Sequence, residues 1–185
     1  MGQKVAFWLI PAAADRIFFQ EVIDRLAENY AAFCFTPHVT IYWGEFADDE
    51  SLTEILEQAV RGINAFSLQC DRVLYTDQFT KTLFVQFHPS KILSQITESI
   101  RNHSQPPANF TLNPHLSLMY KHLDADVKQS IAATISLPRT EVFFGEIQVL
   151  LTPDTAQSQA DIENISSFTS YQLLGSREQG AESRE

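Results

Sequence analysis

The sequence predicts an α+β protein whose strands are mostly antiparallel and whose two halves resemble each other. Short apolar segments typical of strands alternate with amphipathic helical segments along the 185 residues. Two of the strands follow each other across a short turn, as the strands of an antiparallel hairpin do. A five-residue pattern also recurs once in each half, on a strand bordered by helices. We therefore expect a bilobal fold: two mostly antiparallel sheets flanked by helices, in pseudo-two-fold related lobes around a central cleft.

The first part of the chain predicts two strands and two helices. An apolar run that ends at Pro11 is typical of a buried strand, and the helical spacing of the apolar residues after it predicts an amphipathic helix. Ser51, with Glu54 three residues later, matches a capping box and marks the start of the second helix. The expected elements are a strand at 4–10, a helix at 12–32, a strand at about 37–43, a loop at 44–50 and a helix at 51–63.

The remainder of the chain predicts the hairpin, two helices and three further strands. Partial alternation of apolar and polar residues marks the hairpin strands, and Ser90 is placed to cap the helix after them. The last residues, 175–185, are charged and contain Gly and Ser, which predicts a disordered tail after a single bilobal domain at 1–174. The expected elements are strands at 65–76 and 81–88, a helix at 90–103, a strand at about 111–120, a helix at 124–133, and strands at 140–151 and 167–174.

The composition restricts the partners of the protein. A net charge of −10 repels long nucleic acid, unless one face is locally basic. No apolar run of eighteen residues occurs, so we expect no membrane span, and no signal peptide is evident at the N-terminus. The two cysteines, Cys34 and Cys70, fit free, mostly buried thiols in a reducing compartment. We expect a cytoplasmic monomer that binds a small molecule.

The repeated pattern is the strongest signal for a functional site. Its two copies read Pro37-His38-Val39-Thr40-Ile41 and Pro114-His115-Leu116-Ser117-Leu118. Because successive side chains of a strand point to opposite faces, each copy places its histidine and its hydroxyl on one face and its aliphatic residues on the other. Two such faces together would surround a small anion with two imidazoles and two hydroxyls. A third match, His88-Pro89-Ser90, lacks the flanking pattern and is expected to be a strand end before a helix cap.

A metal site is an alternative use of the two histidines. A zinc ion held by His38 and His115 would need a third protein ligand, and no carboxylate or cysteine lies near either copy at a fixed spacing. We therefore expect neither a metal nor another cofactor.

These motifs resemble those of the two-histidine phosphoesterases, the LigT-like superfamily, and are most similar to the plant-type cyclic phosphodiesterases. The pattern Trp-x-x-Pro at 8–11, the two copies at 37–40 and 114–120, and Asp-Arg-Val at 71–73 all match that group in order and spacing. The resemblance covers roughly residues 4–174. It implies a bilobal fold with both motifs lining the cleft.

The resemblance also implies an activity and a set of site residues. The implied activity is metal-independent hydrolysis of ADP-ribose 1″,2″-cyclic phosphate, of nucleoside 2′,3′-cyclic phosphates to 2′-phosphates, or of both. The resemblance implies that His38 and His115, with Thr40 and Ser117, form the catalytic set. From the chemistry of imidazole we assign His115 as base and His38 as acid, an order that the sequence does not decide. Further candidates for substrate contact are Thr40, Ser117, Tyr120, Trp8, Tyr42 and Phe79.

Two rival functions stay open at this point. One is an RNA-end enzyme, either a 2′-5′ ligase or a 3′-end phosphodiesterase, against which the acidic composition weighs. The other is a nucleotide-binding module that has lost turnover, against which the presence of both histidines and both hydroxyls weighs.

Overall fold

The computed structural model describes residues 2–106, 109–152, 159–163 and 165–175. The α+β class and the predicted order of the major elements are confirmed, while residues 176–185 of the expected tail lie outside the described part. The strands are β1 (Gly2–Pro11), β2 (Val39–Ala47), β3 (Phe66–Tyr75), β4 (Leu83–Phe87), β5 (His115–Met119), β6 (Glu141–Leu151) and β7 (Ser166–Gln172). The helices are α1 (Ala13–Tyr30), α2 (Leu52–Ala59), α3 (Lys91–Arg101), α4 (Ala125–Thr134) and α5 (Gln159–Glu163), with a 3₁₀ turn at Phe79–Lys81.

The described strands form one antiparallel sheet rather than the two sheets expected from the sequence. The strand order is β1-β2-β5-β4-β3-β6-β7. Because β1 also pairs with β6, the first six strands in this order form a closed ring. The two halves merge because β2 pairs with β5, and β3 with β6. The first of these contacts brings the two motif strands side by side.

The helix starts follow the local sequence signals. The Ser51 hydroxyl accepts the N–H of Glu54, at 3.3 Å, and the Ser90 hydroxyl accepts the N–H of Leu93, at 3.4 Å, as N-caps do. The C-terminal end of α1 is capped by a side chain: the Lys121 ammonium donates to the carbonyls of Tyr30, the last helical residue, and of Ala31, which follows it. A cation at this position complements the helix dipole.

Several elements differ from the sequence expectation. Residues 44–47 continue β2 instead of starting a loop, because β1 is long enough to pair with them up to Ala47. Helix α2 ends at Ala59, four residues early, and Gly62 follows with a φ of +75°. The short helix α5 was not predicted.

The aliphatic face of both motif strands lies in the main core, as predicted. Val39 and Ile41 of β2 and Leu116 and Leu118 of β5 are at most 1% exposed. They pack with the apolar faces of the helices in one continuous cluster. Full burial of such a side chain contributes about 1.5–3 kcal/mol, so the core fixes which face of each strand remains for the histidines.

Candidate active site

The register of β2 and β5 brings the two motifs together. Val39 and Leu116 are cross-strand partners in this antiparallel pair. Because side chains alternate along a strand, the neighbours of this pair, His38 and Thr40 in one motif and His115 and Ser117 in the other, lie on the opposite face. The four polar side chains therefore share the face opposite to the core.

The two imidazoles are held in the same way. The Nδ1 atom of His38 lies 2.6 Å from the Thr36 carbonyl oxygen, and Nδ1 of His115 lies 2.6 Å from that of Asn113. A carbonyl oxygen only accepts hydrogen bonds, so Nδ1 of each ring carries a proton. The nitrogen that exchanges a proton with a ligand is then Nε2 in both histidines.

Burial keeps both imidazoles neutral in the free protein. His38 is 7% exposed, and its ring stacks on Trp8 with the ring centres 3.6 Å apart and the planes 8° from parallel. This burial, reinforced by the neighbouring His115, lowers the pKa of His38 to about 4. Burial, together with the charge of Lys81, likewise lowers the pKa of His115 to about 4. The hydrogen bonds with the Thr36 and Asn113 carbonyls favour the charged rings and so raise each pKa, but burial lowers it by more.

The two motif hydroxyls have different surroundings. The Ser117 hydroxyl donates to the carbonyl oxygen of Thr80 in the 3₁₀ turn, at 2.8 Å, and Ser117 is 5% exposed. Thr40 is half-buried beside Trp8, its cross-strand partner in β1. For Thr40 the described residues provide no comparable acceptor. The Thr40 hydroxyl is therefore the one of the pair that is ready to donate to a ligand.

Tyr120 contacts the hydroxyl of Ser117. Its ring is buried and stacks on Phe35, with the ring centres 3.8 Å apart. Burial raises the pKa of Tyr120 well above its usual range, and a hydrogen bond with Ser117 reduces that rise. Tyr120 thus contacts a motif hydroxyl, an arrangement suited to positioning Ser117.

Trp8 contacts a motif side chain directly, whereas Phe79 lies in an aromatic group next to Tyr120. Phe79 is half-buried, with its ring centre 6.2 Å from that of Tyr120 and 5.5 Å from that of Phe33. The His122 ring lies 5.4 Å away on the same aromatic group. Trp8 reaches the site through its stacking on His38.

Tyr42 is not brought to this site. Its ring is fully buried, packs against Phe46 and Phe110, and its hydroxyl lies 2.5 Å from that of Ser104. The reason is a β-bulge: Trp8 pairs with Thr40 but Phe7 pairs with Tyr42, so β2 contains an extra residue. The bulge reverses the alternation of faces and turns Tyr42 into the core.

Several contacts of the site carried no signal in the sequence. The carbonyls of Thr36, Thr80 and Asn113 are backbone groups that any residue supplies. Phe35 gave no motif either, although it lies three residues before His38. His88, the third match, is exposed at the end of β4, as expected.

Two negative findings concern the described residues. They contain no group of three or more His, Cys, Asp or Glu side chains arranged to hold a metal ion. None of their helices is both long and apolar enough to cross a membrane.

Comparison with known protein families matches residues 12–155 to the 2′-5′ RNA ligase superfamily. The match covers more than half of the 185 residues. The chain belongs to this superfamily. Among curated proteins, the cyclic phosphodiesterase of Arabidopsis thaliana is 24% identical to it over 123 residues, which are 66% of this chain and 68% of the relative.

Solved structures share the superfamily fold at low sequence identity. LigT of E. coli in complex with 3′-AMP superposes with a TM-score of 0.59 at 14% identity, covering 94% of this chain and 99% of LigT. TT0787 of Thermus thermophilus gives 0.61 at 11% identity, covering 93% and 98% of the two chains. Usb1 of Kluyveromyces marxianus gives 0.52 at 10% identity, with the same coverage of 93% and 98%. At these identities the likeness concerns the fold.

Proposed function

We propose that this protein hydrolyses small cyclic phosphodiesters without a metal ion. The proposed substrates are ADP-ribose 1″,2″-cyclic phosphate and nucleoside 2′,3′-cyclic phosphates, the latter opened to 2′-phosphates. The observation that carries the proposal is the antiparallel pairing of β2 and β5, which joins the two motifs and their two Nδ1-anchored imidazoles. Membership of the superfamily and the Arabidopsis relative named cyclic phosphodiesterase support it.

The two imidazoles would carry out the two proton transfers of hydrolysis. His115 Nε2 takes a proton from a water molecule as the oxygen of that water attacks phosphorus. His38 Nε2–H gives a proton to the ring oxygen as the bond from that oxygen to phosphorus breaks. For a 2′,3′-cyclic phosphate this leaving oxygen is the 3′ oxygen, so the product is the 2′-phosphate. General acid–base catalysis of this type contributes about 10²–10⁴-fold.

The surroundings of the rings favour this order of roles. The Lys81 charge disfavours the imidazolium form of His115, which suits a base. The face of Trp8 against His38 favours a cation there through its π electrons, which suits an acid. The negative charge of a bound phosphodiester would raise the pKa of His38 from its low value in the free protein. Substrate binding itself would therefore charge the acid.

The hydroxyls would bind the non-bridging phosphate oxygens. Thr40 is available as a donor, whereas Ser117 would have to exchange the Thr80 carbonyl for a phosphate oxygen. Tyr120 would hold Ser117 in place during that exchange. Positioned donors that meet charge developing in the transition state are often worth about 10²-fold or more.

The superfamily to which the chain belongs favours one competing function, an RNA-end 2′-5′ ligase or 3′-end phosphodiesterase. A turnover panel separates the two. It compares ADP-ribose 1″,2″-cyclic phosphate, the four nucleoside 2′,3′-cyclic phosphates and a 2′-5′-linked RNA. Turnover of the small cyclic phosphates, with little action on the RNA, is expected. The opposite preference would favour the RNA-end enzyme. The monomeric state and cytoplasmic location stay predictions from the sequence.

A further inference from the structure

Lys81 is held in place beside β5, the second motif strand, by its backbone. Its N–H donates to the Gln78 carbonyl at 2.9 Å, and its carbonyl accepts the Thr76 hydroxyl at 2.6 Å. The next residue, Thr82, is 2% exposed and its hydroxyl donates to the Lys121 carbonyl at 2.7 Å. These contacts fix the 3₁₀ turn, so the origin of the Lys81 side chain is defined in the absence of ligand.

The Lys81 ammonium lies over Phe84, an aromatic ring that the second-motif histidine, His115, also contacts. Its Nζ atom is 4.3 Å from the centre of the Phe84 ring, and the His115 ring centre is 5.4 Å from the same ring. Phe84 is also the cross-strand partner of Ser117. Lys81 and His115 are close enough for the charge of one to lower the pKa of the other.

Among the described residues, no carboxylate pairs with this ammonium. Within the described ranges, Lys81 forms neither an ion pair nor a side-chain hydrogen bond. Two nearby lysines differ in this respect, since Lys121 caps α1 and the buried Lys128 binds Asp77 and the Thr76 carbonyl. Lys81 is half-buried, and burial lowers its pKa. A half-buried ammonium over an aromatic ring gains some cation–π energy but still lacks an anion.

Without Lys81, the site residues that the structure describes provide no positive charge in the free protein. Both imidazoles are neutral in the free protein, and the hydroxyls of Thr40 and Ser117 carry no charge. A phosphodiester or phosphate monoester brings one or two negative charges into a partly buried face. A protein with a net charge of −10 would repel such an anion unless a positive group stood at the site.

We propose that Lys81 is the phosphate-binding cation of this site, contacting a non-bridging oxygen of the bound phosphate from the side of Phe84 and His115. The proposal rests on the proposed function for the location of the phosphate, and it adds a residue that neither repeated motif contains. Lys81 would stabilise the charge on the phosphate oxygens, while the two histidines transfer protons.

The test measures binding of inorganic phosphate by calorimetry, which needs no turnover. Lys81→Met, which keeps the stem over Phe84 but removes the charge, should weaken phosphate binding about tenfold or more. Lys81→Arg should stay within about threefold of wild type, because the charge-assisted hydrogen bond is retained. Lys91→Met, at the exposed first position of α3, is the matched control and should bind phosphate as wild type does. Lys81→Gln is a second neutral variant, in case Lys81→Met does not fold.

A second measurement separates the loss of the Lys81 charge from a structural effect of the substitution. Removing the Lys81 charge should raise the pKa of His115, observed by NMR titration of its imidazole, while Lys81→Arg should leave that pKa close to the wild-type value. Unchanged phosphate affinity in folded Lys81→Met and Lys81→Gln, or an equal loss in Lys91→Met, would overturn the proposal. If phosphate binding depends on Lys81 but no cyclic phosphate is hydrolysed by wild type, the proposed function fails and the role of Lys81 stands.

Discussion

Acid should destabilise this protein through His38, by an amount that follows from its burial. His38 ordinarily has a pKa of 6.5, and in the folded protein it is about 4. Between these values the unfolded chain binds a proton that the folded protein does not, so stability falls as the pH falls. Above pH 6.5 the stability that neutral His38 allows is fully present, and below about pH 4 its titration removes no further stability. From about pH 7 to about pH 4.5, this one residue should remove about 2 kcal/mol of unfolding free energy.

The assay is urea unfolding at both pH values for wild type and His38→Asn. Asparagine does not titrate, and its amide N–H can replace Nδ1–H at the Thr36 carbonyl. The carboxylates and His115 are present in both forms, so the difference between the two losses reports on the titration of His38. His88→Asn, at an exposed position, should lose as much stability as wild type. If His38→Asn lost as much as wild type too, the claim that His38 is held neutral by burial would be refuted.

Three further predictions concern the chemistry. Turnover should survive exhaustive EDTA treatment, and loss of activity that one particular metal restores would contradict the two-imidazole mechanism. Phosphorus NMR of the product from a 2′,3′-cyclic nucleotide should show the 2′-phosphate, since one acid serves one leaving oxygen, whereas an equal mixture of 2′- and 3′-phosphates would contradict this. Thr40→Ala should lower kcat about 10²-fold as a phosphate donor is lost. Ser117→Ala should lower it less, because its proton is already donated to Thr80; a larger loss for Ser117→Ala would reverse that ranking.

The sequence predicted the face of each motif strand because that inference needed only the alternation of a strand and the burial of aliphatic residues. It could not predict where the alternation is interrupted. The bulge opposite Phe7 and Trp8 depends on the pairing of β1 with β2, and it moved Tyr42 from the expected site into the core. The same long pairing made residues 44–47 a strand.

Contacts between distant parts of the chain were also beyond a reading of the sequence. The Ser117 hydroxyl meets a backbone carbonyl 37 residues away, and no residue type at position 80 is required for that contact. The merging of two expected sheets into one likewise depends on the pairing of β2 with β5, which in turn determines how close the motifs come. Local patterns identified the elements, while tertiary pairing determined the geometry of the site.

His38 and His115 should act as one proton-transfer site, which is tested by measuring kcat of single and double variants on the cyclic phosphate that wild type turns over best. His38→Ala and His115→Ala should each lower kcat by about 10³-fold, as expected for loss of a general acid or base. The double variant should be little worse than either single variant, because groups that act as a unit are not additive. His88→Ala should keep near-normal turnover. Near-normal kcat in folded His38→Ala, or a loss in His88→Ala equal to that in His115→Ala, would contradict the paired-motif site.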